Sequence, residues 1–570
     1  MRTFRTSIGV LFSFAVCCSL WFPANACASS QRRGEEAFST KGAETLGSIV
    51  LAIPSFAAGK FYDKGQYGEA RKLYEQVLAV QEKTLGADHP STLLTRGRLA
   101  RVHGMLGGYV KARELYEQVL VVQEKTLGPD HPATLITRGS LAGIYGRLGD
   151  YAKAKELFEQ VLAVREKTLG ADHPATLIIR GSLAGVHGRL GDNGKARELY
   201  EQVLAAQERT PGAEHPSTLI TRGNLASVYK NLGDYSKARG LYEQVLAVQE
   251  KTLGADHPST LIIRHNLAGL FRDLGDYGKA REWYEQVLAV RKKTLGADHP
   301  FTLYTLGGLA GIFQEFGEYG KARELYEQVL AVQEKTLGVE HSSTLITRGS
   351  LASVFKKLGD YGKAKGLYEQ VLAAQEKTLG NGHFLTLITR HNLADLFHEL
   401  GDYGRAGELY EHVFAAQEKT LGVAHPFTLI TRRDLAAVFE ELGDYGRAGE
   451  LYEQVLAVQE KTLGANHPST LATRGSLAGL IGKLGDSGKA EAMYGQVLAA
   501  QEKKLGADHP STVLTRHNLA GVYVKLGDYD TARKLYEQVL AVREKRLGAG
   551  HPSTSLTRND LAAILEKLGK

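Results

Sequence analysis

The chain has 570 residues, with 70 basic and 63 acidic side chains, so its formal net charge is only +7. Over this length, such a charge gives no electrostatic reason to expect a nucleic acid or a membrane surface as partner. The three cysteines all lie within the first 30 residues, so the rest of the chain has no thiol for a disulfide or a thiolate metal site.

The N-terminal segment has the pattern of a secretory signal peptide. Two arginines precede an apolar run from Ile8 to Phe22, and small residues around Ala26 offer a cleavage site. The apolar run is short for a membrane span. We therefore predict a signal peptide at 1–28 and a polar, flexible spacer at 29–48. An uncleaved anchor and a misassigned start of the chain are the alternatives.

A histidine then recurs every 42 residues, with no insertion anywhere, and proline follows it in ten of the twelve copies. This regular spacing indicates a repeat architecture in place of several separate domains. The recurring histidines are His89, His131, His173, His215, His257, His299, His341, His383, His425, His467, His509 and His551.

The unit at 132–170 shows the physical pattern of one repeat. Its first half places apolar residues such as Leu141 and Tyr145 at helical spacing, and a Gly-Asp-Tyr turn follows. Its second half places Phe158 and Val161 on another apolar stripe. Each unit is therefore predicted to be a helical hairpin, with a first and a second helix, whose apolar stripes only neighbouring units can cover.

Small and large residues alternate as L-A-x-x-Y…G-x-Y-x-x-A-x-x-x-[YF], which resembles the tetratricopeptide repeat. The 42-residue period with a K-x-L-G-x-x-H-P loop is similar to the repeat of the kinesin light chain. The resemblance implies an all-α fold, a right-handed solenoid or superhelix of about twelve helical hairpins. We expect the array at 49–568, with a degenerate N-terminal cap at 49–64, repeats at 65–551 and a capping helix at 552–568.

The loop histidines are candidates for catalysis or metal binding, but their spacing argues against both. Successive repeats lie roughly 10 Å apart, whereas a zinc site needs several ligands at about 2 Å from one ion. The preceding residue is acidic in only eight units, so no constant catalytic partner accompanies the histidine. Because a residue before proline is pushed out of the helical region, we interpret the loop as a helix boundary, where the His side chain satisfies free N–H groups.

Other motifs that carry chemistry are missing from the sequence. The Gly-Lys dipeptides lack the upstream glycine of a nucleotide-binding loop, and neither H-E-x-x-H nor G-x-S-x-G occurs. We therefore predict no enzymatic activity, no cofactor and no metal site.

The first helices vary among the copies at a few positions, whereas the second helices are nearly constant. In tetratricopeptide arrays the first helices line the concave face, so the resemblance implies that the varying residues line a groove for an extended peptide. The alternative is drift at weakly constrained positions after recent duplication. The candidate groove residues are Asn224, Lys230, His265, Asn266, Arg272, Lys356, His391, Asn392, His398, His517 and Asn518.

Two further features of the first helices have structural interpretations. An arginine precedes the varying pair in every unit except at Leu306, and we expect its head to pair with the Glu of the L-Y-E-Q segment. Gly139, Gly143 and Gly146 lie within one helix, at a cost of about 1 kcal/mol each relative to Ala. Either neighbouring repeats offset this cost, or a ligand backbone needs a surface without side chains.

The sequence therefore predicts a non-catalytic scaffold that binds proteins or extended peptides, placed by its leader in the secretory pathway or outside the cell. We expect no nucleic acid partner and no membrane span after leader removal. The alternative is a cytoplasmic, kinesin light chain-like adaptor between cargo and a microtubule motor, and only then is kinesin heavy chain expected as a partner. That family joins the motor through an N-terminal coiled coil, for which 29–48 is short. A purely structural spacer is a third interpretation.

Overall fold

The computed structural model describes residues 46–63 and 66–569. The predicted signal peptide and most of the predicted spacer lie outside these residues. Within them the chain forms 25 α-helices and no strand, so the prediction of an all-α hairpin array is confirmed. The helices are α1 (Leu46–Asp63), α2 (Tyr67–Thr84), α3 (Pro90–Met105), α4 (Tyr109–Thr126), α5 (Pro132–Arg147), α6 (Tyr151–Leu169), α7 (Pro174–Arg189), α8 (Asn193–Gln207), α9 (Pro216–Asn231), α10 (Tyr235–Leu253), α11 (Pro258–Asp273), α12 (Tyr277–Leu295), α13 (Pro300–Glu315), α14 (Tyr319–Thr336), α15 (Ser342–Lys357), α16 (Tyr361–Leu379), α17 (Phe384–Glu399), α18 (Tyr403–Thr420), α19 (Pro426–Glu441), α20 (Tyr445–Leu463), α21 (Pro468–Lys483), α22 (Ser487–Leu505), α23 (Pro510–Leu526), α24 (Tyr529–Leu547) and α25 (Pro552–Lys567).

The described chain divides into two compact units, residues 46–213 and residues 214–569. The first contains four hairpins, α1/α2 to α7/α8, and ends in a π-helical turn at Glu208–Gly212. The second contains eight hairpins, α9/α10 to α23/α24, followed by α25. Odd-numbered helices are the first helices of the repeats and even-numbered helices are the second. Helix α1 contains Pro54 and takes the place of a first helix in the first hairpin.

Local signals in each repeat explain where its helices begin and how they pack. Asp150 caps α6, since its Oδ1 accepts the backbone N–H of Lys153 at 3.0 Å. Ala142 and Ala154 are fully buried where α5 and α6 pack together, and Phe158 fills the space beside them. Small residues at the contact allow the helices to approach closely, while the aromatic ring provides most of the buried apolar area.

The arginine of the first helices pairs with a glutamate in all but one of the repeats that carry the motif, but the prediction of which glutamate is wrong. Arg138 Nη2 donates to Glu124 Oε1 at 2.6 Å. Glu124 belongs to the Q-E-K segment at the end of the preceding second helix, whose last turn lies beside the following first helix. The glutamate of the L-Y-E-Q segment pairs within its own helix, as Arg239 Nε does with Glu243 Oε1 at 2.7 Å.

One repeat has lost both members of this arginine–glutamate pair. Leu306 stands at the arginine position, and Lys292 stands at the glutamate position 14 residues earlier. In most of the other repeats the arginine is largely buried, for example 8% exposed at Arg138, whereas Arg558 of α25 is 47% exposed. A nearly buried charge without its partner costs stability, so the joint loss indicates that the two positions function as one pair.

The three glycines of α5 all have room for a side chain. A Cβ at Gly143 would meet no atom within 4 Å, and at Gly139 and Gly146 the nearest atoms would be 3.5 and 3.9 Å away. Gly308 of α13 is different, because a Cβ there would lie 2.9 Å from Cε1 of Tyr284. Close packing therefore requires glycine at Gly308 but not in α5. Helix α5 is nevertheless continuous from Pro132 to Arg147, so contacts with its neighbours offset the cost of its glycines.

The missing pair predicts a measurable coupling between residues 292 and 306. Leu306→Arg alone should lower the free energy of unfolding, because the new guanidinium would face Lys292. Lys292→Glu/Leu306→Arg should restore the pair and be about 1–2 kcal/mol more stable than the two single effects combined. A double-mutant cycle measured by urea unfolding of the full chain checks this. Strictly additive effects of the two substitutions would contradict the pairing.

Candidate functional site

The twelve loop histidines are helix caps, which confirms their interpretation as a helix boundary. Each stands immediately before a first helix, and its Nδ1 accepts the backbone N–H of the residue two positions later. At His131 this distance is 3.2 Å, to the nitrogen of Ala133. The backbone of His131 is extended, with φ −64° and ψ 139°, as expected for a residue before proline.

Capping also determines the tautomer of these histidines. Because Nδ1 accepts a hydrogen bond, the proton of the neutral ring is on Nε2. In unit 214–569, two of these Nε2–H groups reach backbone carbonyls 236 residues earlier. His467 donates to the carbonyl of Asn231 and His509 to that of Asp273, both at 3.2 Å. The loops before α21 and α23 therefore pack against the C-terminal ends of α9 and α11.

Further contacts of two kinds occur where these loops meet the helix ends. One is a hydrogen bond from an arginine, and the other is a close approach to a glycine. Arg546 Nη1 donates to the carbonyl of Gly275 at 2.8 Å. Gly275 has φ +71°, and a Cβ there would lie 2.3 Å from Cδ of Pro510. A glycine is thus needed at this turn for both its backbone conformation and its close neighbour. A Cβ at Gly317 would likewise lie 2.8 Å from Cδ2 of His551, in the loop before α25. We give the name inter-turn seam to these contacts, which join the turns after α9, α11 and α13 to the loops before α21, α23 and α25 and to Arg546 of α24.

All eleven candidate groove residues lie on first helices of unit 214–569, and none is fully exposed. This places them on related faces of α9, α11, α15, α17 and α23, which is the arrangement that a groove along the first helices requires. The buried ones are His265, Lys356, His391 and Asn392, and the partly exposed ones are Asn224, Lys230, Asn266, Arg272, His398, His517 and Asn518.

Several charged groove residues pair with acidic residues that the sequence analysis missed. Lys230 Nζ lies 2.9 Å from Asp273 Oδ2, and Arg272 Nη2 lies 3.0 Å from Asp273 Oδ1. Burial by itself raises the pKa of Asp273, but Lys230 and Arg272 outweigh burial and hold that pKa below its usual value. This carboxylate therefore stays ionised and links α9 to α11.

A second polar cluster lies where α15, α17 and α19 adjoin. Lys356 Nζ is 3.3 Å from Glu399 Oε1 and 3.9 Å from Asp395 Oδ2. His391 Nε2 is 3.3 Å from Asp434 Oδ2. These contacts join residues of neighbouring repeats, so the first-helix face is a network of interacting charges.

The three histidines at equivalent first-helix positions have different surroundings. His265 stacks on Tyr304 with ring centroids 4.3 Å apart, and burial, then nearby arginines, hold its pKa well below the usual value. His517 Nε2 lies 3.4 Å from Asp560 Oδ2, and burial, followed by Arg543, lowers its pKa to about 4. His391 faces two carboxylates.

The acidic partners had a signal in the sequence. Asp434 and Asp560 stand 42 residues after Asn392 and Asn518, so each occupies the asparagine position of the next repeat. In both cases, the aspartate pairs with the histidine that precedes that asparagine. Comparing each variable position with the same position one repeat later would have found these pairs.

Comparisons with known proteins agree with the hairpin array. The family model of the tetratricopeptide repeat matches in twelve overlapping windows from residue 57 to residue 570, the first at 57–120 and the last at 511–570. A search of the curated proteins returns no match.

Many solved structures have similar repeats, among them three from two organisms. A kinesin light chain candidate from Podosopora anserina, with nearly identical TPR-like repeats, is 41% identical; the match covers 35% of this chain and 96% of that chain, with a TM-score of 0.33. A variant of that protein with one substitution is 40% identical over 37% of this chain and 99% of that chain, with a TM-score of 0.34. BtubC (BKLC) from P. vanneervenii is 20% identical over 41% of this chain and 91% of that chain, with a TM-score of 0.32.

Within the described residues, no helix combines the length and the apolar character needed to cross a membrane.

Acidification should destabilise unit 214–569 through its capping histidines. Burial lowers the pKa of His467 from 6.5 to about 4. A group whose pKa is lower in the folded state binds fewer protons there, so its contribution to stability is complete above pH 6.5. That contribution is lost as the pH falls from 6.5 to 4, by up to about 3 kcal/mol. Thermal unfolding of the full chain between pH 7 and pH 4 measures the loss.

His467→Asn is the matched variant, because asparagine can cap a helix but does not take up a proton in this range. Its unfolding temperature should fall less between pH 6.5 and pH 4 than that of the wild type. Equal pH dependence in the two proteins would show that His467 does not contribute.

Proposed function

Because the chain belongs to the tetratricopeptide repeat family, with repeats of the kinesin light chain type, we propose that it is a non-catalytic scaffold that binds an extended polypeptide along its first helices. Repeats of this family typically bind proteins or peptides. The proposed contact surface is the first-helix face of unit 214–569, where seven of the eleven groove residues named above are partly exposed.

The observation that carries this proposal is the distribution of variation along the repeats. The L-Y-E-Q-V-L-A second helices are almost identical, whereas polar and charged residues vary on the first helices. Those variable residues remain partly exposed at seven of the eleven positions. A surface that differs from repeat to repeat can recognise a ligand of defined sequence, while the constant helices maintain the packing.

The asparagines suit the backbone of an extended ligand. An asparagine amide donates and accepts hydrogen bonds, as a peptide group does. Asn224 and Asn266 occupy the same position in successive repeats, and neighbouring repeats lie roughly 10 Å apart. An extended chain advances about 3.3 Å per residue, so this pair would meet peptide groups about three residues apart.

Substitution of the two asparagines tests the groove. A library of extended peptides is screened against the full chain, and the affinity of a selected peptide is measured by fluorescence anisotropy. Asn224→Ala/Asn266→Ala should weaken binding at least tenfold, because two pairs of hydrogen bonds to the ligand backbone would be lost. Gln244→Ala/Gln286→Ala, at exposed positions of second helices α10 and α12, should bind as the wild type does.

Equal affinity of the asparagine variant and the wild type would overturn the groove, and so would a screen in which the full chain selects no peptide. Loss of binding in the glutamine control alone would place the contact surface on the second helices.

We further propose that the scaffold works in the secretory pathway or outside the cell. The support is the basic, apolar and small-residue order of the first 30 residues. The alternative, a cytoplasmic adaptor for a microtubule motor, is supported by the sequence of the repeats, whose K-x-L-G-x-x-H-P loop is similar to that of the kinesin light chain.

The intact mass of the protein from its native source should show an N-terminus near residue 27 or 29, because a signal peptidase removes the leader. A mass that still includes the leader would contradict secretory cleavage and would leave the uncleaved anchor and the cytoplasmic adaptor.

A further inference from the structure

His391 is enclosed by two carboxylates in unit 214–569. Its side chain is 0% exposed, and Asp395 and Asp434 are 5% and 8% exposed. The Nε2 atom lies 3.9 Å from Asp395 Oδ1 and 3.3 Å from Asp434 Oδ2. These three ligand-type atoms all lie within 4.8 Å of one another, and no other such group occurs among the described residues.

Neighbouring hydrogen bonds determine which nitrogen of His391 carries a proton in the neutral ring. Thr431 Oγ1 donates to the carbonyl of Phe427 at 3.1 Å, so it has only lone pairs to offer His391. Nδ1 of His391 lies 3.1 Å from that oxygen and therefore donates to it. The lone pair of Nε2 then points toward the carboxylates, and Nε2 has no hydrogen-bond partner among the described residues.

A buried lone pair and two carboxylate oxygens repel one another, and a cation between the three atoms would remove that repulsion. The Tyr410 hydroxyl donates to Asp395 Oδ1, and that oxygen keeps a second lone pair for an ion. We propose that His391, Asp395 and Asp434 bind a divalent transition-metal ion of the zinc class, through Nε2 and one oxygen of each carboxylate. One imidazole nitrogen with two carboxylate oxygens is a donor set that such ions accept. This site lies apart from the loop histidines and runs against the expectation of no metal in the sequence analysis. It does not depend on the proposed peptide binding.

Other residues hold the ligands in position. Arg433 Nη2 lies 3.1 Å from Asp434 Oδ1, the oxygen that does not face His391. Lys356 Nζ lies 3.9 Å from Asp395 Oδ2, which is also the far oxygen. The cationic side chains thus orient both carboxylates, and the Nδ1–H bond to Thr431 orients the imidazole, as outer-shell partners do in metal sites.

The chain contains two incomplete copies of this arrangement, which serve as internal comparisons. His517 has Asp560 but has Gly521 where Asp395 would stand, and His265 has glycine at both positions. Beside these two histidines, Arg291 and Arg543 donate to the equivalent threonine oxygens. Gln417 stands at that arginine position beside His391. Of the three copies, only that of His391 therefore has two carboxylates and a threonine oxygen that can accept from Nδ1–H. It is also the only one of the three without an arginine at the position of Gln417.

Titration of the metal-free full chain with Co²⁺ tests the site, with visible absorption to report nitrogen and oxygen ligation and calorimetry with Zn²⁺ to give stoichiometry. We expect one equivalent bound to the wild type. Asp434→Asn and Asp395→Asn should each lower the affinity at least tenfold, because a neutral amide is a poor ligand for these ions. Asp560→Asn, the matched change beside His517, should leave the affinity unchanged.

A variant that should gain a second metal site keeps the test decisive even if the asparagine variants fold poorly. Gly521→Asp/Arg543→Gln completes the ligand set around His517, and a Cβ at Gly521 has room because its nearest neighbour, Tyr536 Oη, is 3.6 Å away. This variant should bind a second equivalent of Zn²⁺. No stoichiometric binding by the wild type, or binding that Asp395→Asn and Asp434→Asn both leave unchanged, would overturn the site.

Discussion

No hairpin of this chain can bury its own apolar stripes, and the rest of the structure depends on that constraint. In unit 214–569 one apolar core continues from Leu219 to Val438, because each hairpin is covered by the next. The arginine–glutamate pairs act at the same junction, where a second helix ends beside the following first helix. The capping histidine satisfies one of the backbone N–H groups at the start of the new helix, as His131 does for Ala133.

Because of this stacking, the first and second helices of a repeat tolerate different amounts of sequence change. The second helices are nearly identical from copy to copy, whereas the first helices carry polar residues that differ. These polar residues are matched between neighbours, as Lys230 is with Asp273 and His391 with Asp434. A substitution in one repeat therefore changes which side chain the neighbouring repeat must carry to pair with it. The joint replacement at Lys292 and Leu306 shows the same coupling on another face.

The hairpins, their number and the capping loop could be predicted because their causes are local: apolar spacing, a glycine stop, and a histidine before proline. The glutamate that pairs with the first-helix arginines could not be predicted. The glutamates of the L-Y-E-Q and Q-E-K segments recur with the same period, so periodicity does not show which one faces Arg138. The environment of His391 depends on Asp434 and Thr431 in the next repeat and on Gln417 in the intervening helix. Whether these residues meet depends on the angle between successive hairpins. The sequence of a single repeat does not determine that angle. The groove itself remains a prediction.

The inter-turn seam joins residues 236 positions apart, which is five repeats and part of a sixth. Apart from Arg546, its members are the glycine turn and the His-Pro loop, and nearly every copy of the repeat carries both. Loss or duplication of a whole 42-residue copy between them would bring a different but equivalent turn to the same place. The seam would then re-form with new partners. Unequal recombination between near-identical copies, which ordinarily threatens a fold, can therefore change the length of this array while preserving the contact between its turns.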